Sequence, residues 1–242
     1  MRICFLQHEP EAPPGYLADW AADRGHSARV VSVPAIEDWP AADAQDLIVS
    51  LGSDSSVHAS PEAWIAEEIE FVRAARAAAV PLLGICFGGQ LLAAAFGGRA
   101  LRAPAACAEW SEIPAPAPQL IPPGPWFRWH EDMFELPPGA RLLAGTPAEP
   151  LAFALDSVIG LQFHPEVGRD LAERWVDGGR ERLSLQRIDE QRLRGDIERS
   201  AAGARERAFR LFDGIVGRLT GNIDARGSEA HTEAAPRAAG RR

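Results

Sequence analysis

Residues 81–98 constrain the fold of this chain more than any other segment. An apolar run at residues 80–85, interrupted only by a proline, is typical of a buried parallel strand. From Gly88 an Ala/Leu-rich pattern indicates a helix that ends at a glycine pair. Cys86 therefore lies at the turn between strand and helix, in the pattern Gly-x-Cys-x-Gly. This is the pattern of a nucleophile elbow with cysteine in the serine position.

Two interpretations of Cys86 compete. A lone cysteine in a tight turn is commonly a small buried packing residue. Glycines at positions 84 and 88, however, allow a strained turn and the close approach of a substrate. The helix that follows would direct its positive end at the sulfur and favour the thiolate. The combination favours a nucleophile.

Strands and helices alternate through the first 98 residues. Strands are predicted at 1–7, 28–33 and 46–51, and helices at 15–24 and 61–79. We therefore predict an α/β, flavodoxin-like three-layer domain with a mainly parallel central sheet. Functional loops of such sheets lie at the carboxyl ends of the strands, so Cys86 and the turn at Gly52 and Ser53 should be neighbours.

The second half of the chain differs from the first in composition and in its pattern of apolar residues. Prolines are dense over residues 99–160, and short β-like runs at 126–130, 141–144, 151–155 and 158–163 predict an antiparallel extension of the sheet. Helices are predicted at 170–177 and, as one long element, at 188–219. We expect residues 169–220 to pack back on a single domain formed by residues 1–220. The polar segment 221–242 is expected to be disordered.

Composition narrows the function classes. With 25 basic against 34 acidic residues and a net charge of −9, nucleic acid is not expected as a partner. All basic residues are arginines, which argues against P-loop and pyridoxal chemistry, since both need a lysine. The three cysteines form no metal-like pattern. No signal peptide or membrane span is recognised, so a reduced, cytoplasmic protein without a membrane partner is expected.

A cysteine nucleophile needs a base, and the base needs an orienting group. Among six histidines, His164 has the best context because it ends a predicted central strand. Glu166 follows two residues later, and the proline between them fixes the backbone so that both side chains can point the same way. A strand-end histidine and a surface glutamate are the plainer interpretation. Together with the elbow, the pattern favours a Cys-His-Glu triad.

Other residues could complete the site. The backbone N–H of Phe87 is the usual oxyanion donor after a nucleophile, and the turn at Gly52 and Ser53 could supply a second. Gln90, one turn into the elbow helix, could bind a polar substrate group or be an ordinary surface residue. A further pair, His130 and Asp132, could form a pocket wall or a polar turn above packed aromatics.

Two motifs together produce a family resemblance. They are Gly-Ile-Cys-Phe-Gly-Gly-Gln at residues 84–90 and Phe-His-Pro-Glu at residues 163–166. Over residues 1–219 the chain resembles the class I glutamine amidotransferase family. Trp-His-Glu-Asp at 129–132, ahead of a Leu-Pro-Pro-Gly turn, is similar to the free-standing, GMP-synthetase-like branch, which has no fused synthetase.

The resemblance implies roles for single residues. Cys86 would form a thioester, His164 would act as base and acid, Glu166 would orient it, and Gln90 would contact the γ-glutamyl group. No metal or organic cofactor is implied. The family usually has Gly-Gly-Pro where this chain has Gly-Ser-Asp at 52–54, although the Ser53 N–H can still donate.

Three functions remain open at this stage. The first is a glutaminase subunit that passes ammonia to a separate synthetase. The second is a γ-glutamyl amide or peptide hydrolase that acts alone on a small-molecule substrate. The third is a catalytically silent relative that binds a partner, which an intact Cys-His-Glu set makes less favourable.

Overall fold

The computed structural model describes residues 1–221, which form nine strands and seven α-helices. The strands are β1 (Arg2–Gln7), β2 (Ser27–Ser32), β3 (Leu47–Ser50), β4 (Leu82–Ile85), β5 (Arg99–Ser111), β6 (Trp126–Glu135), β7 (Arg141–Gly145), β8 (Pro150–Leu155) and β9 (Val158–Leu161). The helices are α1 (Gly15–Asp23), α2 (Ala63–Ala77), α3 (Phe87–Ala95), α4 (Arg169–Gly178), α5 (Arg180–Leu185), α6 (Glu190–Ser200) and α7 (Ala204–Leu219). Of the segment 221–242, which is expected to be disordered, all but Gly221 lies outside the described residues.

The central sheet has seven strands in the order β2-β1-β3-β4-β9-β8-β7. The first five in that order are parallel, and β8 and β7 continue the sheet antiparallel. β4 and β9 are neighbours, with Ile85 opposite Leu161. Cys86 directly follows β4 and His164 comes three residues after β9, so both leave the sheet at the same edge.

Helices cover both faces of this sheet. On one face α1 and α7 pack together, and their core includes Trp20 and Phe212. On the other face α2 and α3 pack together, around Phe71 and Leu91. The predicted three-layer α/β fold, with a mainly parallel sheet and an antiparallel extension, is confirmed.

One strand of the second half lies elsewhere than expected. The segment that starts at Trp126 does not join the central sheet but pairs with β5 in a separate antiparallel sheet. β5 itself was not expected, because its sequence is rich in proline and alanine. Its register with β6 shifts between Arg102 and Cys107, and Pro104 lies in that gap, so the missing N–H costs no ladder hydrogen bond.

The long helix expected at 188–219 is two helices. α6 ends at Ser200 and α7 begins at Ala204, with Gly203 between them at φ +71°. This left-handed conformation suits glycine and ends the continuous helix. A third apolar cluster, which contains Trp110, Phe127 and Leu193, packs α4, α5 and α6 against the small sheet.

The two glycines beside Cys86 are required for packing. A Cβ at Gly88 would lie 2.1 Å from the carbonyl oxygen of Ser50, and a Cβ at Gly84 would lie 2.3 Å from that of Gly88. The Gly88 N–H also donates to the carbonyl of Leu51 at 3.1 Å. Glycine therefore lets the start of α3 contact the backbone of β3 directly.

We expect Gly88→Ala to lower the free energy of unfolding by about 3 kcal/mol or more, because the added methyl group must displace backbone. Urea denaturation measures this change. Gly214→Ala, inside α7, is the matched control: its Cβ would meet backbone oxygens only at 3.7 Å, and alanine improves helix propensity by about 1 kcal/mol. Equal stability of the Gly88→Ala protein and the wild type would contradict this packing argument.

Candidate active site

Cys86 occupies a backbone conformation that few non-glycine residues adopt. Its φ is +52° and its ψ −108°, and it directly precedes α3. The side chain is buried, with 6% of its surface exposed. Its Sγ lies 3.7 Å from the carbonyl oxygen of Trp129 and accepts from the amide of Gln162 at 3.6 Å. The strained turn thus directs a buried thiol at two polar groups.

His164 and Glu166 form a buried pair beside this thiol. Nδ1 of His164 lies 2.7 Å from Oε1 of Glu166, and both side chains are almost fully buried. Nε2 lies 3.3 Å from the same Trp129 carbonyl oxygen that Cys86 contacts. The carboxylate binds Nδ1, so it can fix the tautomer of the ring and leave Nε2 for proton transfer.

The protonation of His164 depends on these neighbours. Burial alone would lower its pKa. The charges of Glu166 and Cys86, with hydrogen bonds to both side chains, outweigh burial and raise the pKa of His164 to about 10. At neutral pH the ring is therefore an imidazolium, a form suited to protonate a leaving amine.

The backbone around Glu166 is held by the start of α1. The Tyr16 N–H donates to the Glu166 carbonyl at 2.9 Å, and a Cβ at Gly15 would lie 2.2 Å from that oxygen. Gly15 also has φ +45°. Only glycine allows both this backbone conformation and the close contact, so the first helix of the chain positions the carboxylate.

A cavity of about 470 Å³ lies above Cys86 and His164. Its far wall comes largely from α4 and α5. His130 and Asp132, which the sequence offered as a possible pocket wall, do not line the cavity, whereas Trp129 of the same strand does. The lining carries charges of both signs, from Glu9, Glu11, Asp54, Glu181, Arg174 and Arg182. This volume falls within the usual range of small-molecule pockets.

An aromatic contact links the cavity wall to the histidine. The ring of Trp175, in α4, meets the ring of His164 edge-on at a centroid distance of 4.9 Å and an angle of 86°. Trp129 meets Trp175 in the same edge-on way at 6.3 Å. This contact limits rotation of the imidazole and keeps water from one side of it.

The expected oxyanion donors lie beside the thiol. Phe87 is the first residue of α3, so its N–H is one of those that a helix leaves without an intrahelical partner. Gly52 and Ser53 both line the cavity. A Cβ at Gly52 would lie 3.4 Å from Cε1 of His164 and 4.0 Å from Cβ of Cys86.

Three other predicted residues, Gln90, His130 and Asp132, do not line the cavity. The amide of Gln90 donates to the carbonyl oxygen of Asp132 at 3.0 Å and to Oε1 of Gln162 at 3.3 Å. His130 is buried, and burial with nearby Arg128 and His164 lowers its pKa to about 4. Asp132 accepts from the hydroxyl of Ser56 at 2.5 Å. Their role in substrate binding stays a prediction.

Sequence reasoning missed several residues of the site. Gln162 contacts the sulfur, and its only sequence signal is a polar residue in an otherwise apolar strand end. Arg174 and Trp175 fall in the helix predicted at 170–177, and Arg182 lies between the two predicted helices. Nothing in their local pattern shows that α4 and α5 return over the elbow.

Residues 1–221 contain no group of three or more His, Cys, Asp or Glu side chains placed to hold a metal ion. Within the same residues, no helix has both the length and the apolar character needed to cross a membrane.

Known proteins resemble this chain in sequence and in fold. The family model "Glutamine amidotransferase class-I" matches residues 17–174. A GMP synthase (glutamine-hydrolyzing) of Ralstonia pickettii is 35% identical over 127 aligned positions, which cover 40% of this chain and 22% of that protein. The chain spans about a fifth of the length of the curated relatives it matches.

Solved structures show the same architecture. A glutamine amidotransferase of Thermotoga maritima superposes with a TM-score of 0.80 at 23% identity, over 89% of this chain and 98% of that one. A second, from Methylobacillus flagellatus, gives 0.80 at 24% identity over 90% and 94%. The family match, which covers more than half of the chain, shows that this protein belongs to the class I glutamine amidotransferases.

Proposed function

We propose that this protein hydrolyses the γ-amide of glutamine through a thioester on Cys86. The observation that carries the proposal is the arrangement around that thiol: a strained turn after β4, a histidine held protonated by a buried carboxylate, and a cavity above both. The GMP synthases that the chain resembles are glutamine-hydrolysing by name, which supports glutamine as the amide donor.

The first half of the reaction cleaves the amide. The Cys86 thiolate attacks the γ-carbonyl carbon, a C–S bond forms, and the carbonyl electrons move to oxygen. N–H groups of Phe87 and Ser53 stabilise that oxyanion. When the C–N bond breaks, the His164 imidazolium gives its proton to the leaving nitrogen, and ammonia departs.

The second half releases glutamate. His164, now neutral, takes a proton from water as the water attacks the thioester carbonyl. The C–S bond breaks, glutamate leaves, and the thiolate and imidazolium are restored. Glu166 orients the ring throughout and stabilises its charged form.

The charges of the cavity suit an amino acid substrate. A bound glutamine presents an α-carboxylate and an α-ammonium group. Arg174 lines the cavity and makes no ion pair with another residue in 1–221, whereas Arg182 is held by Asp54 and Glu131. We infer that Arg174 binds the α-carboxylate, and that lining acids such as Glu11 and Glu181 attract the ammonium group.

A γ-glutamyl amide or peptide hydrolase is the second candidate. The cavity has more room than a single amino acid needs, and it continues to Leu185, which is 78% exposed. A larger leaving group could occupy that side. For the first candidate, we propose a synthetase as the ammonia acceptor, because the matched relatives are named GMP synthases and this chain spans about a fifth of their length.

Cys86→Ala should abolish glutamate release from glutamine, because no other group supplies the nucleophile. The measurement is glutamate and ammonia release by the purified chain from glutamine and from a panel of γ-glutamyl amides and peptides. Cys107→Ala is the matched control: burial raises the pKa of Cys107 to about 12, so this thiol stays protonated and its loss should leave the rate unchanged. Full activity in Cys86→Ala would refute the mechanism.

The same assay separates the candidate functions. Weak turnover of glutamine alone, raised by a synthetase, supports the amidotransferase subunit. Strong turnover of one larger γ-glutamyl compound supports the hydrolase. If the wild type cleaves none of these compounds, the catalytically silent alternative replaces both.

Glu166→Gln should move the alkaline limb of kcat/KM to lower pH. In the wild type the imidazolium is present below a pKa of about 10 and is lost as the pH rises through it, so activity should extend well above pH 7. Without the carboxylate that raises this pKa, the imidazolium loses its proton at a pH at least one unit lower, and the maximal rate falls about 100-fold.

Glu173→Gln, in α4 and outside the cavity lining, is the control that should keep the wild-type profile. Identical pH profiles for Glu166→Gln and the wild type would exclude this role.

Arg174→Gln should raise KM for glutamine about tenfold with little change in kcat, because the α-carboxylate is bound equally in the ground and transition states. Steady-state kinetics measure the split. Arg180→Gln, at the first residue of α5 and outside the cavity lining, should behave as wild type. A loss in kcat at unchanged KM would instead place Arg174 at the reacting atoms.

A further inference from the structure

A second buried histidine–carboxylate pair lies behind the cavity. His8 follows β1 directly, and its Nε2 lies 2.8 Å from Oε2 of Glu68 in α2; both side chains are fully buried. The other carboxylate oxygen of Glu68 accepts from the hydroxyl of Ser50 at 2.6 Å. None of the three lines the cavity, so the mechanism above does not use them.

The other nitrogen of this ring contacts the backbone of the site. Nδ1 of His8 lies 3.2 Å from the carbonyl oxygen of Gly52. A carbonyl oxygen only accepts, so Nδ1 must carry a proton. Burial alone would lower the pKa of His8, but Glu68 and this carbonyl outweigh it and raise the pKa, which favours the ring form in which both nitrogens donate.

That carbonyl belongs to the peptide group that carries the Ser53 N–H. The peptide is trans, as the one cis bond in residues 1–221 is Gly124–Pro125, so its C=O and N–H point in opposite directions. With the oxygen held towards His8 in the core, the N–H points away from the core. Gly52 packs against Cys86 and His164, because a Cβ at this glycine would lie within 4.0 Å of both side chains.

The ring of His8 is itself fixed. It stacks on Trp64 at a centroid distance of 5.1 Å and meets Phe87 edge-on at 4.8 Å. Phe87 is the residue that carries the other expected oxyanion donor. His8 therefore contacts both halves of the oxyanion site, one through a hydrogen bond and the other through packing.

We propose that His8 is a positioning residue that, supported by Glu68, directs the Ser53 N–H at the oxyanion formed on Cys86. The proposal deepens the function proposed above and rests on its cysteine nucleophile. The hydrogen bond from the Ser53 N–H to the oxyanion exists only while the tetrahedral oxyanion exists. Loss of the His8 contact to Gly52 should therefore lower the rate at which Cys86 is acylated, and leave the reactivity of its thiol towards other reagents unchanged.

Two substitutions separate positioning from packing. Gln places its amide near the position of Nε2, so His8→Gln keeps a partner for Glu68 and loses the donor to Gly52. Asn places its amide near Nδ1, so His8→Asn keeps the donor to Gly52 and leaves Glu68 with Ser50 alone. Since an unpaired buried carboxylate is costly, His8→Asn should be the less stable protein and yet the faster enzyme.

Two reactions of Cys86 provide the readout. Acylation by p-nitrophenyl acetate passes through an oxyanion: the sulfur attacks the acetyl carbon, p-nitrophenolate leaves, and an acetyl thioester remains. Alkylation by iodoacetamide is a displacement at carbon and needs no oxyanion donor. The rate measured with Cys86→Ala is subtracted from each rate to remove reactions of other groups. Thermal unfolding measures the stability of each variant.

We expect His8→Gln to acylate about 100-fold more slowly than the wild type, as for loss of one oxyanion donor, and to alkylate within twofold of it. His8→Asn should recover acylation to within about tenfold despite its lower unfolding temperature. Kcat for glutamine should follow acylation, with KM unchanged.

Several results would overturn the proposal: unchanged acylation in His8→Gln, an equal loss of alkylation, activity that simply follows stability, or no Cys86-dependent acylation in the wild type. A wild type that acylates with the ester but does not hydrolyse glutamine contradicts the proposed function instead, and the ester still tests His8.

Discussion

The close contact between α3 and β3 is the constraint on which this site depends. With hydrogen in place of side chains at Gly84 and Gly88, the helix begins directly against the backbone of the neighbouring strand. The chain must then turn within one residue, and that residue, Cys86, takes the positive φ. Packing of a parallel sheet thus supplies the energy that holds the thiol in a strained and directed conformation.

Much of this could be predicted because it is local. The elbow, the parallel strands and the pair of His164 and Glu166 each follow from residues close together in sequence. The role of the glycines was predicted less well: conformational freedom was expected, whereas their φ values are ordinary and close packing is what requires them. The spacing of glycines in the sequence cannot show which backbone atom lies about 2 Å from the position that a Cβ would occupy.

The parts that were not predicted are long-range. α4 begins eight residues after β9 ends, and α4 and α5 form the far wall of the cavity, where Arg182 pairs with Asp54 and Glu131, which lie far away in the sequence. The alanines and the proline of β5 do not predict a strand. β5 forms because it pairs with β6, and the register of that pair shifts between Arg102 and Cys107, where Pro104 lies. Neither partner can be read from the segment itself.

The turn at residues 52–54 shows how a departure from a family pattern can be compensated. Gly-Ser-Asp, in place of Gly-Gly-Pro, adds a hydroxyl and an N–H that glycine and proline lack. Both donate to Oε1 of Glu9, each at 2.7 Å. The replaced residues therefore gain a carboxylate partner that holds the turn from the cavity side, while His8 contacts the Gly52 carbonyl from the core side. His8 and Glu9, which directly follow β1, thus hold the loop from opposite sides. Rigidity that proline would provide covalently arises here from hydrogen bonds, which makes the geometry of this loop depend on the charge of Glu9.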